Sequence, residues 1–279
     1  MKLILDCNNL CYMSFYTVGD LGIEGQKTGV MFGFLMKILK LAESNKTNEL
    51  IFCWDSRKHF RRSLQSDYKK RDKTKIVGIE GAFEQFSLLR TQVLPDMGFR
   101  NVFRQVGFES DDLMAKIVYD YPKEDCVIVS TDQDMYQLLE FCDIYNPRTK
   151  KLVREADFVK QWGIGSSRWA EVKGLAGCKG DNVNGVQGVA EKTAIKFLKH
   201  ELKEGSAAYK RITSEEGRDQ RALSLKLVTL PYAERKMKQL KLRKDRLTRD
   251  KFIDVFDKYQ FITFLEEKFL AKWQKAFDL

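Results

Sequence analysis

The chain has 279 residues, of which 43% are hydrophobic and 12% aromatic, enough to bury the core of one large domain or of one domain with an appended module. This composition excludes a disordered chain, and no stretch of the sequence approaches the length of a membrane-spanning helix. The net charge of +10 favours a polyanionic partner such as nucleic acid, although a basic protein without such a partner would have the same charge.

Apolar runs rich in β-forming residues alternate with longer stretches of helical spacing. The predicted strands are residues 3–6, 50–54, 102–106 and 126–129. The predicted helices are residues 30–42, 81–93, 111–119, 135–139, 156–162 and 190–200. This alternation predicts an α/β fold with a mainly parallel central sheet flanked by helices.

The N-terminus and the cysteines predict an intracellular protein. Asp6 interrupts the first apolar run too early for a secretory signal. The six cysteines form no CxxC pair and have no accompanying histidine spacing, so we expect buried reduced thiols rather than zinc ligands or disulfides. His59 and His200 lie in basic stretches far apart in the sequence, so a histidine-based site is not expected.

Two segments are strongly basic. Residues 57–75 contain nine Lys or Arg residues, with Phe60 and Tyr68 between them. A solvated surface would have the same charge, but the aromatic residues favour an element that contacts phosphates. The second basic run, residues 235–251, predicts an exposed helix or a strand at the edge of a sheet.

Carboxylates follow three predicted buried strands. Asp6 and Asp55 each end a strand, and Asp132 lies just beyond residues 126–129. The ends of parallel strands meet at one crevice, where open α/β sheets bind ligands. Four more acids begin the helices at the same edge: Glu109, Asp111, Asp112 and Asp134.

Each of these acids taken alone could be a helix cap. Together, seven carboxylates in one crevice would repel one another, so a cation is expected there. Oxygen ligands without histidine or paired cysteine suit Mg²⁺ or Mn²⁺. Two such ions serve phosphoryl transfer by activating a water and stabilising the leaving oxygen.

A glycine-rich stretch, residues 174–189, leads into a predicted helix. Its five glycines predict a tight helix-loop-helix turn. The amides that begin the second helix, with Lys192 and Lys196 beside them, could hold backbone phosphates without contacting bases. A plain helix hairpin with glycine caps is the alternative.

Six motifs in this order resemble the 5′-nuclease superfamily, which includes the flap endonucleases and the N-terminal 5′-nuclease domain of bacterial DNA polymerase I. They are LILDCNNL at 3–10, FCWDSRKHFRRSL at 52–64, DYKKR at 67–71, GFESDDL at 107–113, VIVSTDQDMYQLL at 127–139 and GDNVNGVQGVAEKTA at 180–194. The resemblance covers nearly the whole chain and is closest to the free-standing phage or bacterial form. It implies a PIN-like nuclease domain over residues 1–165 and a helical DNA-binding region over residues 166–279.

The resemblance also implies roles for individual residues. The first metal site would be formed by Asp6, Asp55, Glu109 and Asp111, and the second would be served, directly or through water, by Asp112, Asp132, Asp134 and Asp181. Lys69, Arg71 and Asp111 would be catalytic.

A helical arch at about residues 56–78 would admit the 5′ single strand. The implied DNA contacts are Arg57, Arg61, Tyr68 and Lys69 in the arch, and Gly185, Gly188, Lys192, Thr193 and Lys196 in a C-terminal helix-hairpin (H3TH) module. In this family the hairpin often holds a K⁺ ion with main-chain carbonyls.

The chain departs from the family pattern at two positions. The family's Tyr-Lys-x-x-Arg spacing is one residue shorter here, which changes the register of Arg71. Cys178 stands where the family has the first aspartate of Asp-x-x-Asp with Asp181, so one carboxylate of the second metal site is replaced by a thiol, a poor ligand for Mg²⁺.

The expected function is a 5′-3′ exonuclease and structure-specific flap endonuclease of the cytoplasm of a bacterial or phage-infected cell. We expect a monomer that acts on DNA flaps, nicks or ends, away from membranes, with replication proteins as candidate partners. Two alternatives stay open. One is a junction-binding protein with a nuclease weakened at Cys178. The other is an RNase that acts on the RNA of RNA–DNA hybrids.

Overall fold

The computed structural model describes residues 1–19, 21–23, 26–70, 76–122 and 125–279. The strands are β1 (Lys2–Asp6), β2 (Gly22–Ile23), β3 (Gln26–Lys27), β4 (Leu50–Cys53), β5 (Val102–Phe103), β6 (Cys126–Val129), β7 (Asp143–Asn146), β8 (Lys151–Val153), β9 (Gly177–Cys178) and β10 (Val183–Asn184). The α-helices are α1 (Cys7–Val18), α2 (Gly29–Asn45), α3 (Ile79–Leu88), α4 (Leu94–Asp96), α5 (Ser110–Asp120), α6 (Glu155–Trp162), α7 (Trp169–Ala176), α8 (Glu191–Leu198), α9 (Ala207–Thr213), α10 (Glu215–Val228), α11 (Arg249–Lys258), α12 (Ile262–Leu265) and α13 (Glu267–Phe277).

The central sheet confirms the predicted α/β class. Its strand order is β5-β4-β1-β6-β7-β8, and every neighbouring pair is parallel except β7 with β8. The sequence did not predict β7 and β8. The third predicted strand, residues 102–106, is shorter in the structure, where it ends at Phe103, and the side chain of Gln105 beyond it binds the backbone of Lys238.

Successive residues of the sheet face opposite layers, as the twofold repeat of a strand requires. Leu3 and Leu5 belong to a core that includes α1, α2 and the C-terminal helices. Ile4 belongs to a second core that includes α5 and α7. Burial on both faces explains why the strands are continuous apolar runs without polar alternation.

Several predicted helices differ from the observed ones. Helix α1 was not predicted, although Asp6 caps it by accepting a hydrogen bond from the amide of Asn9. Residues 135–138 belong to a 3₁₀-helix, Gln133–Leu138, with Leu139 in the turn after it, and residues 81–93 are split between α3 and a π-helical turn, Leu89–Val93. The other four predicted helices correspond to α2, α5, α6 and α8.

The expected helical arch has another form in this chain. In the described parts of residues 56–78 the only regular element before α3 is a 3₁₀-helix, Phe60–Ser63, and residues 71–75 lie outside the described residues. The expectation of α-helix there is therefore wrong for residues 56–70 and 76–78. Arg61 and Tyr68 point into the protein, which removes the exposed face that such a helix would need.

The glycine-rich stretch forms a hairpin between α7 and α8. Strands β9 and β10 pair antiparallel, with Gly177 opposite Asn184. Gly177 has a φ of 76°, and a Cβ there would lie 2.3 Å from the amide nitrogen of Gly185. Glycine is therefore needed at residue 177 both for the left-handed backbone and for the close approach of the two chains.

The second basic run, residues 235–251, was expected to be a helix or an edge strand. In the structure, residues 236–248 form neither a helix nor a strand, and α11 begins at Arg249. None of the helices in the described residues is long and apolar enough to cross a membrane.

Candidate metal and nucleic-acid site

Three predicted aspartates meet at the carboxyl ends of the central strands. Ser110 connects two of them, because its amide donates to Asp55 Oδ1 at 2.8 Å and its hydroxyl lies 3.3 Å from Asp6 Oδ1. Ser130 connects the third, because its hydroxyl donates to Asp6 Oδ2 at 2.9 Å and accepts from the amide of Asp132 at 3.1 Å. These links, together with the influence of the Asp55 and Asp132 charges on the pKa of Asp6, place all three carboxylates in one crevice.

The ammonium of Lys69 lies among three further carboxylates. Its Nζ is 2.7 Å from Glu109 Oε2, 3.6 Å from Asp181 Oδ2 and 3.8 Å from Asp111 Oδ2. These acids come from the start of α5 and from the glycine-rich hairpin. The basic segment and the hairpin therefore reach the same point at the sheet edge.

The main chain holds Lys69 in this position. Its φ is 47°, and its amide donates to the carbonyl of Asp181 at 2.9 Å. Asn182, also in the left-handed region at φ 58°, donates from its side chain to the carbonyls of Asp67 at 2.9 Å and Lys70 at 3.2 Å. This double connection ties the basic segment to the hairpin.

A second group of ligand atoms lies beside Lys69. One ligand atom each from Asp134, Cys178 and Asp181 lies within 4.8 Å of the others, an arrangement that could hold a metal ion. Lys173, which is buried, lies 3.7 Å from Asp134 and donates to Glu191 of α8 at 2.8 Å. Cys178 is half-buried and faces this group, as its position in the sequence motif implies.

Burial and mutual repulsion make two of the aspartates hard to ionise. Burial, followed by the charge of Asp55, raises the pKa of Asp6 to about 7. Burial, followed by Asp132, raises the pKa of Asp134 to about 7. A cation in the crevice would offset this repulsion and favour the ionised forms.

The Lys69 ammonium affects its neighbouring acids differently. Burial raises the pKa of Asp111, and Lys69 only partly opposes the rise. Burial also raises the pKa of Glu109, but Lys69, the neighbouring imidazole of His59 and the charge of Arg61 together hold it below its ordinary value. Glu109 is therefore ionised and already neutralised by cations of the chain.

Asp112 is located differently from the other acids. It is completely buried, and its carboxylate accepts two hydrogen bonds from Arg61, at 2.7 and 2.8 Å. It also accepts from the amides of Glu109 and Tyr232. Each of its two carboxylate oxygens therefore accepts two hydrogen bonds. The expectation that Asp112 serves a metal ion directly is wrong in this structure, and a role through water stays a prediction.

Two expected DNA contacts are buried. Arg61 is 2% exposed, and its guanidinium also donates to the carbonyls of Leu227 and Thr229. Tyr68 is 3% exposed, with its hydroxyl 3.1 Å from Glu109 Oε2. The expectation that Arg61 and Tyr68 contact DNA is wrong for this structure, because neither side chain reaches the surface.

The other expected DNA contacts are accessible. Arg57, Lys192 and Lys196 are exposed, as is Gly188, and Thr193 and Gly185 are half-buried. Gly188 has a φ of 70°, where a side chain would be strained. Arg71 lies outside the described residues, so its expected catalytic role stays a prediction.

Sequence reasoning missed four side chains that organise this site: Ser110, Ser130, His59 and Lys173. Both serines lie inside motifs that were recognised for their aspartates, so their proximity in sequence was an available signal. His59 Nδ1 lies 2.8 Å from Glu109 Oε1, and its position in the FCWDSRKHFRRSL motif was the only signal. Lys173 had no such signal.

Comparison with known proteins gives the family. The family model described as the 5′-3′ exonuclease N-terminal resolvase-like domain matches residues 1–163. The chain belongs to this 5′-3′ exonuclease family. The site described above is built largely from residues within the matched region, with Cys178 and Asp181 added by the hairpin that follows it.

Curated relatives include two kinds of protein. A 5′-3′ exonuclease of Aquifex aeolicus is 28% identical over 206 residues, which are 70% of this chain and 68% of the relative. The DNA polymerase I of Mycobacterium leprae is 28% identical over 210 residues, 71% of this chain but only 22% of the relative. The chain therefore spans a small part of the polymerases it matches.

Solved structures share the fold at low sequence identity. The T5 5′-exonuclease, solved with divalent zinc ions, has a TM-score of 0.68 and 18% identity over 99% of this chain and 98% of that one. The bacteriophage T5 flap endonuclease, in a pseudo-enzyme-product complex with DNA and metal ions, has a TM-score of 0.66 and 18% identity over 99% and 97% of the two chains. These matches establish the architecture.

Proposed function

We propose that this protein is a structure-specific 5′-nuclease that hydrolyses phosphodiester bonds of DNA with the help of divalent metal ions. The observation that supports this proposal most strongly is the meeting of Asp6, Asp55 and Asp132 at one sheet edge, connected through Ser110 and Ser130. Family membership and the DNA- and metal-bound T5 relatives agree with it.

The donor set fits a hard divalent cation. Seven carboxylates face the crevice once Asp112 is set aside, and the described cations that pair with them are Lys69, Lys173 and Arg61, with His59 if it is protonated. Oxygen donors in this number suit Mg²⁺ or Mn²⁺. The seven are Asp6, Asp55, Glu109, Asp111, Asp132, Asp134 and Asp181.

We assign the ligands to two positions. Asp6, Asp55 and Asp111, with Glu109, would hold one ion, and Asp132, Asp134 and Asp181 would serve a second. Bound divalent ions would supply Lewis-acid stabilisation of the scissile phosphate and activation of the attacking water. Cys178 leaves the second position with one carboxylate fewer than the family pattern, so we expect a weaker second site.

The chain's own residues orient this chemistry. Ser110 and Ser130 fix the rotamers of Asp6 and Asp55 by hydrogen bonds. Lys69, anchored through Asn182, would place a positive charge beside the scissile phosphate and stabilise the charge that develops there. Fixed donors of this kind need no reorganisation during the reaction.

The hairpin between α7 and α8 would hold duplex DNA by its backbone. Lys192 and Lys196 are exposed on α8, next to amides at the helix start. Residues 1–165 would then carry catalysis, and within residues 166–279 we assign DNA binding to the hairpin and α8, because α11–α13 pack in the same core as β1. The K⁺ ion implied for the hairpin, a monomeric state and replication partners remain predictions.

The experiment uses end-labelled 5′-flap, nicked duplex, single-stranded and RNA–DNA hybrid substrates across a magnesium titration. We expect cleavage of flap and nicked DNA that requires Mg²⁺ or Mn²⁺ and stops with chelator. Robust cleavage in excess EDTA would overturn the metal-dependent mechanism. Faster cleavage of the RNA strand of hybrids would replace DNA with RNA as the substrate.

A second candidate function is supported by Cys178 alone. A thiol beside Asp134 and Asp181 weakens the second position for Mg²⁺, which favours a junction-binding protein with little cleavage. The same substrate panel separates the two functions, because this candidate binds flap DNA tightly at every magnesium concentration without cutting it.

A further inference from the structure

A basic strap runs along one side of the molecule. We define it as residues 235–246, which lie between α10 and α11 and form neither a helix nor a strand. Seven of its residues are Lys or Arg and one is acidic. All seven basic side chains are exposed: Arg235, Lys236, Lys238, Lys241, Arg243, Lys244 and Arg246.

The strap is fixed to the protein by its main chain. The side-chain amide of Gln105 donates to the carbonyl of Lys238 at 2.8 Å and accepts from its nitrogen at 2.9 Å. Asn101 makes the same pair of bonds to Arg243, both at 2.8 Å. The side-chain amides of Gln105 and Asn101 thus hold the main chain of the strap in place. The basic side chains of the strap are not needed for this anchoring.

The strap begins next to the site and leads away from it. Arg235 lies over the ring of Phe60, 5.8 Å from its centroid, at the start of the basic segment that carries Lys69. Gln105 follows the carboxyl end of β5, whereas Arg246 bonds to Gly98, which precedes that strand. The strap therefore runs from the carboxylate edge of the sheet toward the opposite edge.

Further positive charge joins the strap to the crevice. Arg104 donates to the main-chain carbonyl of Asp55 at 3.3 Å. Burial and the nearby guanidiniums of Arg104 and Arg57 lower the pKa of Arg90, which shows how closely these cations are grouped. Among the described residues, no ion pair neutralises a basic residue of the strap.

We propose that the basic strap binds the phosphate backbone of a second duplex arm, on the far side of the crevice from the hairpin. Its twelve residues can span at most roughly 36 Å, which is about one turn of duplex DNA. It contains no aromatic residue, so it lacks the stacking platform of a single-strand binder. Contacts would be to phosphates and independent of sequence.

This inference rests on the proposed function, because only nicked and flapped substrates have two duplex arms. Hairpin Lys192 and Lys196 would hold one arm, and the strap would hold the other. The strap would thereby favour branched and nicked DNA over a simple end without contacting any base.

The test compares a strap variant with a charge-matched control. The strap variant carries Lys238→Gln, Lys241→Gln and Lys244→Gln. The control carries Lys268→Gln, Lys272→Gln and Lys275→Gln on α13, whose lysines are also exposed and lie outside the strap. Both variants lose the same charge, so a difference between them cannot come from net charge.

Binding is measured by fluorescence anisotropy with Ca²⁺ replacing Mg²⁺, on a nicked duplex and on a one-arm duplex with a 5′ overhang. We expect the strap variant to lose about tenfold in affinity for the nicked duplex and about two units of salt slope. The control variant and the one-arm duplex should change little. Equal losses on both DNAs, or none on either, would overturn the proposal.

Two further measurements keep the result interpretable. The single variant Lys238→Gln should lower the salt slope on nicked DNA by about one unit. It replaces the triple variant in the test if the triple variant has a lowered melting temperature. Cleavage of the one-arm duplex by the wild type in Mg²⁺ tests the nuclease itself. If the wild type does not cleave DNA but its binding to nicked DNA still depends on the strap, the proposed function is rejected and the proposal for the strap stands.

Discussion

Lys69 donates a hydrogen bond from Nζ to Oε2 of Glu109 across 2.7 Å, and the same ammonium lies within reach of Asp111 and Asp181. A single side chain of the basic segment thus neutralises acids from both α5 and the hairpin. The backbone bonds of Lys69 to Asp181 and of Asn182 to Lys70 keep it there. This contact links the basic segment and the hairpin with the carboxylate crevice.

Lys69→Ala should lower the single-turnover cleavage rate about a hundredfold, because it removes a fixed positive charge beside the scissile phosphate. Affinity for duplex DNA, measured with Ca²⁺, should change much less, since we assign the duplex phosphate contacts to the hairpin and the strap. Lys70→Ala, an exposed neighbour, is the control. Equal losses in rate and affinity would contradict the role given to Lys69.

Arg61→Ala should lower the free energy of unfolding by about 3–5 kcal/mol, because it leaves the fully buried carboxylate of Asp112 without its partner. Urea denaturation measures this change. Arg57→Ala is the control, because it removes an exposed guanidinium. Its free energy of unfolding should stay within about 0.5 kcal/mol of the wild-type value. If both variants were equally stable but bound DNA weakly, Arg61 would be a DNA contact after all.

The raised pKa of Asp134 predicts a pH dependence of stability. Its folded-state pKa of about 7 lies above the ordinary 3.8, so its stability contribution is present below about pH 4 and is lost as the pH rises through about 7. Without metal, raising the pH from 5 to 8 should therefore increase the free energy of unfolding of Asp134→Asn relative to that of the wild type by up to about 3 kcal/mol.

Chemical denaturation at the two pH values measures that difference, with exposed Asp67→Asn as the control. Saturating Mg²⁺ should reduce the gain, since a bound cation favours ionised Asp134. A difference between wild type and Asp134→Asn that is independent of pH would show that Asp134 ionises at its ordinary pKa.

Cys178→Asp should shift the magnesium dependence of cleavage to lower concentration, because it adds a hard oxygen donor beside Asp134 and Asp181. Cys178→Ser, which adds no charge, should leave the magnesium midpoint nearly unchanged. The titration is paired with a melting curve for each variant. An unchanged midpoint together with a lower melting temperature would mean that residue 178 belongs to the small core with Tyr68 and Val183.

The strand-end aspartates could be predicted from the sequence because parallel strands bring their carboxyl ends to one edge whatever the rest of the fold does. Asp6, Asp55 and Asp132 needed only a correct strand assignment. The helix-hairpin also has a local signature in its glycines. Both features depend on short stretches of chain.

The rest depends on contacts between distant residues. Arg61 is buried because Asp112 and the end of α10 accept its hydrogen bonds, and nothing near it in sequence distinguishes it from exposed Arg62. The strap is held in its place because Gln105 and Asn101, more than a hundred residues away in sequence, bind its backbone. Charge alone could not reveal either arrangement.

The central claim is that the strand-end carboxylates hold the catalytic cation. The most direct measurement is the single-turnover rate of 5′-flap cleavage by Asp55→Asn and Asp132→Asn across a magnesium titration, with Asp67→Asn as control and denaturation curves for each protein. Both site variants should fold normally and cut at least about a hundredfold more slowly than wild type. Near wild-type cleavage by either variant would contradict the claim for that residue.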